Sequence, residues 1–131
     1  MAYAERTDLE ARSGAEELAQ RETMLAAGSV ERALADASDE IDRYAGGRYA
    51  LPLSPVPATI VRVTCALARY YLLGDAASAA ARQGYDDARA FLRDLQAGRA
   101  TLDGVAAAAP GSAAGAATVV ASARLFSRDA R

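Results

Sequence analysis

The chain has 131 residues, the size of one compact domain, and its 52% hydrophobic content includes only six Tyr, two Phe and no Trp. All 15 basic residues are arginine, against 17 acids, and histidine is absent. That absence removes the usual general base, the commonest metal ligand and every Ser-His or Cys-His scheme. A single cysteine, Cys65, excludes an internal disulfide and fits a reducing compartment.

The net charge of −2 hides an asymmetry. Residues 1–42 hold eleven acids and four arginines, residues 43–99 eight arginines and four acids, and residues 100–131 three arginines and two acids. An acidic end and a basic middle allow identical copies to pair head to side in a ring. The opening MAYAERTDLEARS has acids where a secretion signal needs a basic and then an apolar stretch, so none is expected. Residues 105–123 are uncharged, but Pro110, Gly111 and Gly115 interrupt them and alanine is weakly apolar, so no membrane span is expected.

Alanine, leucine, arginine and glutamate dominate, all good helix formers, and runs of β-branched and aromatic residues are scarce. The fold class expected is all-α, about five helices with an extended C-terminal arm. Two short helices come first, about 8–13 and 15–21, broken near Gly14, with Leu9 and Leu18 inward. Thr7 with Glu10, and Ser13 with Glu16, have capping-box spacing. A loop over RETMLAAG leads to Ser29, the expected cap of a helix over about 30–45. There Val30, Ala33, Leu34, Ala37, Ile41 and Tyr44 follow helical spacing, while Arg32 with Asp36 and Asp39 with Arg43 are spaced to pair.

Gly46 and Gly47 end that helix, and RYALPLSPV follows. Pro52, Pro55 and Pro57 fix φ, remove donors and extend the residues before them, which makes a stiff hinge with Tyr49, Leu51 and Leu53 free to pack. Pro57 fits the first turn of a helix over about 57–73. Its stripe of Ile60, Val63, Thr64, Leu67 and Tyr71 is widened by Val61, Cys65, Ala68 and Leu72, the pattern of a central helix. Arg62 and Arg69, seven apart, share its polar face. A last helix, about 78–97, carries Tyr85, Ala88, Phe91, Leu92 and Leu95 inward, with Arg82, Asp86, Arg89 and Arg93 along another face. The expected core is Leu34, Ile41, Ile60, Leu67, Tyr71, Phe91 and Leu95. Residues 1–103 form the helical domain and 104–131 an Ala/Gly-rich arm, whose Leu125 and Phe126 among arginines read as an anchor for a partner surface.

No catalytic constellation stands out. One helix cannot converge Asp36, Asp39, Glu40 and Asp42 on one ion, and GlyGlyArg at 46–48 lacks the rest of a phosphate loop. No cofactor, metal ligand or catalytic residue is expected, and Cys65 reads as a buried structural thiol. Arg62 and Arg69, or Arg82, Arg89 and Arg93, could line a path for DNA, but the favoured role is ion pairing within or between subunits.

The blocks MAYA-x-x-T-DLEAR-x-GAEEL-AQ, VERALADASDEIDRYAGGRYALPLSPVPATIVRVTCALARYYL and GYDDARAFLRDLQAGRATL, with a second patch at ARLFSRDAR, resemble the small neck proteins of Mu-like phages and prophages. The proline block followed by Cys65 and ARYYL at 68–72 is the most specific part of the resemblance. The loop at 22–28 is shorter than in several relatives. The resemblance implies a virion protein of the neck: a head-tail connector, or adaptor, that forms a ring under the portal and carries the DNA tunnel towards the tail. It implies a homo-oligomer, with twelve copies expected, and contact with the portal and with stopper or tail-side proteins. Genomic DNA would pass through without sequence-specific contact. Arg82, Arg89, Arg93, Leu125, Phe126 and Arg128 are the expected interface residues. The alternatives are a stopper or tail-completion protein, usually β-rich, and a small helical DNA-binding protein.

Overall fold

A computed structural model describes residues 2–108. Five α-helices make up the body: α1 (Arg6–Ser13), α2 (Ala15–Glu22), α3 (Ser29–Ala45), α4 (Ala58–Leu73) and α5 (Ala79–Ala97). A 3-10 turn, Gly74–Ala76, joins the last two. The all-α class and the five helices agree with the sequence pattern. Leu125, Phe126 and Arg128 lie outside the described residues.

Helices α3, α4 and α5 pack on one another, and α1 lies across α4 and α3. The core is made mostly of aliphatic side chains, with Tyr3, Tyr49 and Cys65 among them. Leu34, Ile41, Ile60, Leu67, Leu92 and Leu95 are buried, and Phe91 packs partly covered against them. The polar residues inside, Ser38 and Thr64, return their hydroxyls to the carbonyls of Leu34 and Ile60 at 2.8 and 2.7 Å. That leaves no buried donor unpaired at either position.

Tyr71 departs from expectation: its spacing from Leu67 predicts a core position, yet it is 38% exposed. It sits in the last turn of α4, where Tyr85 already fills the seam by stacking on Tyr70, with ring centroids 4.1 Å apart. Tyr71 meets Tyr85 only edge-on, at 6.3 Å, and keeps part of its surface in solvent. Leu51 is also outward, at 45% exposed, while its neighbours Tyr49 and Leu53 are buried.

The caps differ too. Glu5 caps α1 and forms the reciprocal box with Asp8, in place of Thr7 and Glu10. Gly28, left-handed at φ 80, precedes α3, so Ser29 lies inside the helix and its Oγ has no partner. Gly14 at φ 93 caps α2, and the Ser13 hydroxyl turns back to the Leu9 carbonyl at 2.8 Å. Ser78 caps α5 as its residue type suggests, accepting from Ala81 N at 3.1 Å.

The connector between α3 and α4 has cis bonds at Leu51–Pro52 and Ser54–Pro55, and Pro57 stands at the N-cap of α4. Residues past α5 fold back onto the connector. Leu102 is buried, Tyr49 and Ala107 form an antiparallel bridge, and Ala50 N donates to Ala106 O at 2.9 Å. The described chain therefore stays on the body to residue 108.

Candidate assembly surfaces

The arginines expected to face other subunits divide into those already engaged within the chain and those left outward. Arg89 is engaged. Its guanidinium donates to Glu40 at 3.3 Å, to the Tyr85 hydroxyl at 3.2 Å and to the Tyr44 hydroxyl at 3.1 Å, and lies 5.7 Å from the Tyr85 ring centre. It fastens α5 to α3. Reversing its charge would therefore disturb the body as well as any subunit boundary. Arg69 likewise donates to both oxygens of Glu17 at 3.0 and 2.9 Å, fastening α4 to α2. The acidic N-terminal region and the basic middle thus meet inside one chain at these two seams.

Other polar ties close the helix ends. Arg21 donates to the Leu72 and Leu73 carbonyls at 2.6 and 3.2 Å, satisfying the C-terminus of α4 where a cation also complements the helix dipole. Arg48 does the same for α5 through the Gln96 carbonyl at 2.9 Å. Arg6 pairs with Glu22, Glu10 and Glu31. The Tyr3 hydroxyl donates to Asp42 and accepts from Leu53 N at 3.0 Å, while Tyr3 N donates to Ser38 Oγ at 2.9 Å. Burial first, and Asp42 second, push the Tyr3 hydroxyl up to about 12.

The acid group on α3 is likewise shared out: Glu40 serves Arg43 and Arg89, and Asp42 serves Tyr3. The pairs expected from spacing alone are not formed. Arg32 turns to the Ala27 carbonyl, and Arg43 takes Glu40 rather than Asp39. Asp36 and Asp39 stay exposed without an ion pair among the described residues. Among those residues no three metal-ligating side chains are grouped, and no helix is long and apolar enough to cross a membrane.

Of the outward arginines, Arg93 is exposed and makes no ion pair among the described residues, and Arg82 reaches only the Ala77 carbonyl at 3.4 Å. An apolar concavity lies elsewhere, between α1, α4 and the start of α5. It is a groove of about 170 Å³ whose apolar floor includes Leu9, Cys65, Ala66, Ala81 and Gly84. Arg12 and Arg62 stand exposed on its rim, without an ion pair among the described residues, and the paired Arg69 closes one end. Cys65 is 2% exposed and burial pushes its thiol up to about 11, so it is protonated and inert near neutral pH. Sequence spacing brought Arg62 and Arg69 onto one face of α4. The third arginine, Arg12, was not legible, because only the crossing of α1 over α4 brings it there.

The chain matches the family described as Bacteriophage Mu, Gp36 over residues 3–121. It belongs to that family. It is also similar to the Mu-like prophage FluMu protein gp36 of Haemophilus influenzae, 48% identical over 73 residues, which cover 56% of this chain and 52% of the relative. Gene product J of Escherichia phage Mu is 49% identical over 43 residues, covering 33% of this chain and 30% of the relative. The chain thus spans about half the length of one curated relative and less of the other. It is a phage-type protein with an all-α body.

Proposed function

We propose that the chain is a structural protein of the virion neck: a head-tail connector, or adaptor, whose copies form a ring between portal and tail. The observation that carries this is how its polar side chains are used. Arg6, Arg21, Arg48, Arg69, Arg89 and Tyr3 fasten one element to another, so the body is a braced block with its chemistry turned inward. Such a block suits transmission of fixed geometry from one neighbour to the next. Membership of a phage family supports the same role, and the stopper alternative, usually β-rich, fits this helical body less well. The portal above, tail-side proteins below and DNA in the channel are the partners in this proposal.

The test is made on particles. Removing the gene should leave filled heads and separate tails, and a tagged copy should appear in the neck by electron microscopy. Normal joining without the protein, or a tag located elsewhere in the particle, would overturn the assignment.

A further inference from the structure

Two unlike surfaces lie on opposite sides of α4. Nine residues separate Arg62 from Tyr71, and at 3.6 residues per turn that is two and a half turns. On the Arg62 side is the groove, with an apolar floor and the two exposed guanidiniums of Arg12 and Arg62. On the Tyr71 side a partly exposed ring stands edge-on to Tyr85, whose hydroxyl shares Arg89 with Glu40 of α3, and Asp36 lies one turn before Glu40. Asp36 is exposed, and Asp39 lies about one turn further along the same helix face.

Building on the ring assignment above, we propose that the groove receives Tyr71 of a second copy, with Asp36 of that copy set against the Arg12–Arg62 rim. Size supports this occupant. An apolar cavity of about 150 Å³ accepts a benzene molecule, so a groove of about 170 Å³ has room for one phenol ring. Charge supports it too, because an exposed carboxylate on one surface answers two exposed guanidiniums on the other, none of them in an ion pair among the described residues. Tyrosine and arginine are also the residue types that most often dominate interface energetics.

Direction follows from the same geometry. The two surfaces differ and oppose each other, so the contact is heterologous and repeats from copy to copy, closing into a ring where the rotation allows. The Glu17–Arg69 pair at the end of the groove keeps Arg69 in place and leaves Arg12 and Arg62 as the receiving charges.

Cross-linking in the full-length chain tests the contact, with Cys65→Ala removing the native thiol. Asp36→Cys and Arg62→Cys are made separately and together and treated with a short bismaleimide, both in solution and in assembled particles. The contact predicts dimers from an equal mixture of the two single variants, a ladder of multimers from the double variant, and no cross-link from either single variant alone. A self-linking single variant would mean a two-fold contact and would overturn the proposal.

A charge exchange adds a second arm. Arg62→Glu should lower assembly at least tenfold with unchanged circular dichroism, and adding Asp36→Arg to the same chain should restore it. If complete rings form with no cross-link, or with Arg62→Glu at wild-type occupancy, the contact is wrong and the ring stands. If the wild type forms no ring in solution or in necks, the ring assignment falls, and the contact with it.

Discussion

The α3–α4–α5 bundle and the shell around it, formed by α1, α2 and the proline connector, are held by different forces. Inside the bundle the contacts are mostly aliphatic, with Arg89 and the Tyr70–Tyr85 stack along one seam. The shell sends fewer side chains into that core, Leu9, Leu18 and Leu53 among them, and adds directional polar ties: Tyr3 to Asp42 and Leu53, Arg69 to Glu17, Arg21 to the end of α4. Apolar burial scales with area and has no preferred direction, whereas hydrogen bonds fix angle. The bundle therefore accounts for most of the stability, and the shell sets where the outer elements sit. Substitutions that separate the two should rank accordingly.

The largest effect belongs to the bundle. Leu67 is fully buried at the centre of α4, and Leu67→Ala should cost about 2–5 kcal/mol. Thermal or urea unfolding would record it as a large fall in midpoint with one cooperative transition. An unchanged midpoint would remove α4 from the centre of the core.

Next comes the strongest tie of the shell. Tyr3→Phe keeps the ring but leaves the Leu53 N–H and the Asp42 carboxylate without their partner, at a cost of about 1–3 kcal/mol. The tie also has a pH signature. Folding raises the Tyr3 hydroxyl from its ordinary value to about 12, so its contribution is complete below about pH 10 and is lost as pH rises through 12. Other groups titrate in this window, Cys65 and Tyr71 among them, so the measured quantity is the difference in stability between wild type and Tyr3→Phe. That difference should shrink above pH 10, and a constant difference would mean that the hydroxyl proton has no part in the tie.

Gly98 tests how the C-terminal return is seated. It closes α5 at φ 85, and a Cβ there would lie 2.8 Å from the Arg48 guanidinium that satisfies the Gln96 carbonyl. Gly98→Ala should cost about 1–2 kcal/mol, from the left-handed backbone and the displaced arginine together. Hydrogen exchange should quicken first at Leu102 and Ala108, whose amides lie in the return that packs on the connector.

The same division governs what could be read in the sequence. Helices α3, α4 and α5 were legible because each repeats apolar residues at helical spacing, and their bounds fall within a residue of expectation. The shell was less so. Glu5 caps α1 instead of Thr7, and Gly28 starts α3 instead of Ser29, because several nearby residues can cap and tertiary packing chooses among them. Ion pairs show this most clearly. Spacing along one helix offered Asp39 to Arg43, yet Glu40 takes both Arg43 and Arg89, and Arg69 finds Glu17, which is 52 residues away. Tyr71 had the spacing of a core residue, and spacing carries no information about where a bundle ends.

The smallest expected effect is the most informative about the shell. Arg69 and Glu17 make a two-bonded pair, but both side chains keep contact with water, at 28% and 37% exposure. Exposed pairs contribute about 0–1 kcal/mol, and salt screens them. Arg69→Gln should therefore move the unfolding midpoint little, and less again at high salt. Its effect should be on position: with Arg21 left as the polar tie from α2 to α4 among the described residues, exchange should quicken in α2 while α3 and α5 keep their protection. A large fall in global stability would mean that α2 belongs to the cooperative core, and the division between bundle and shell would have to be redrawn to include it.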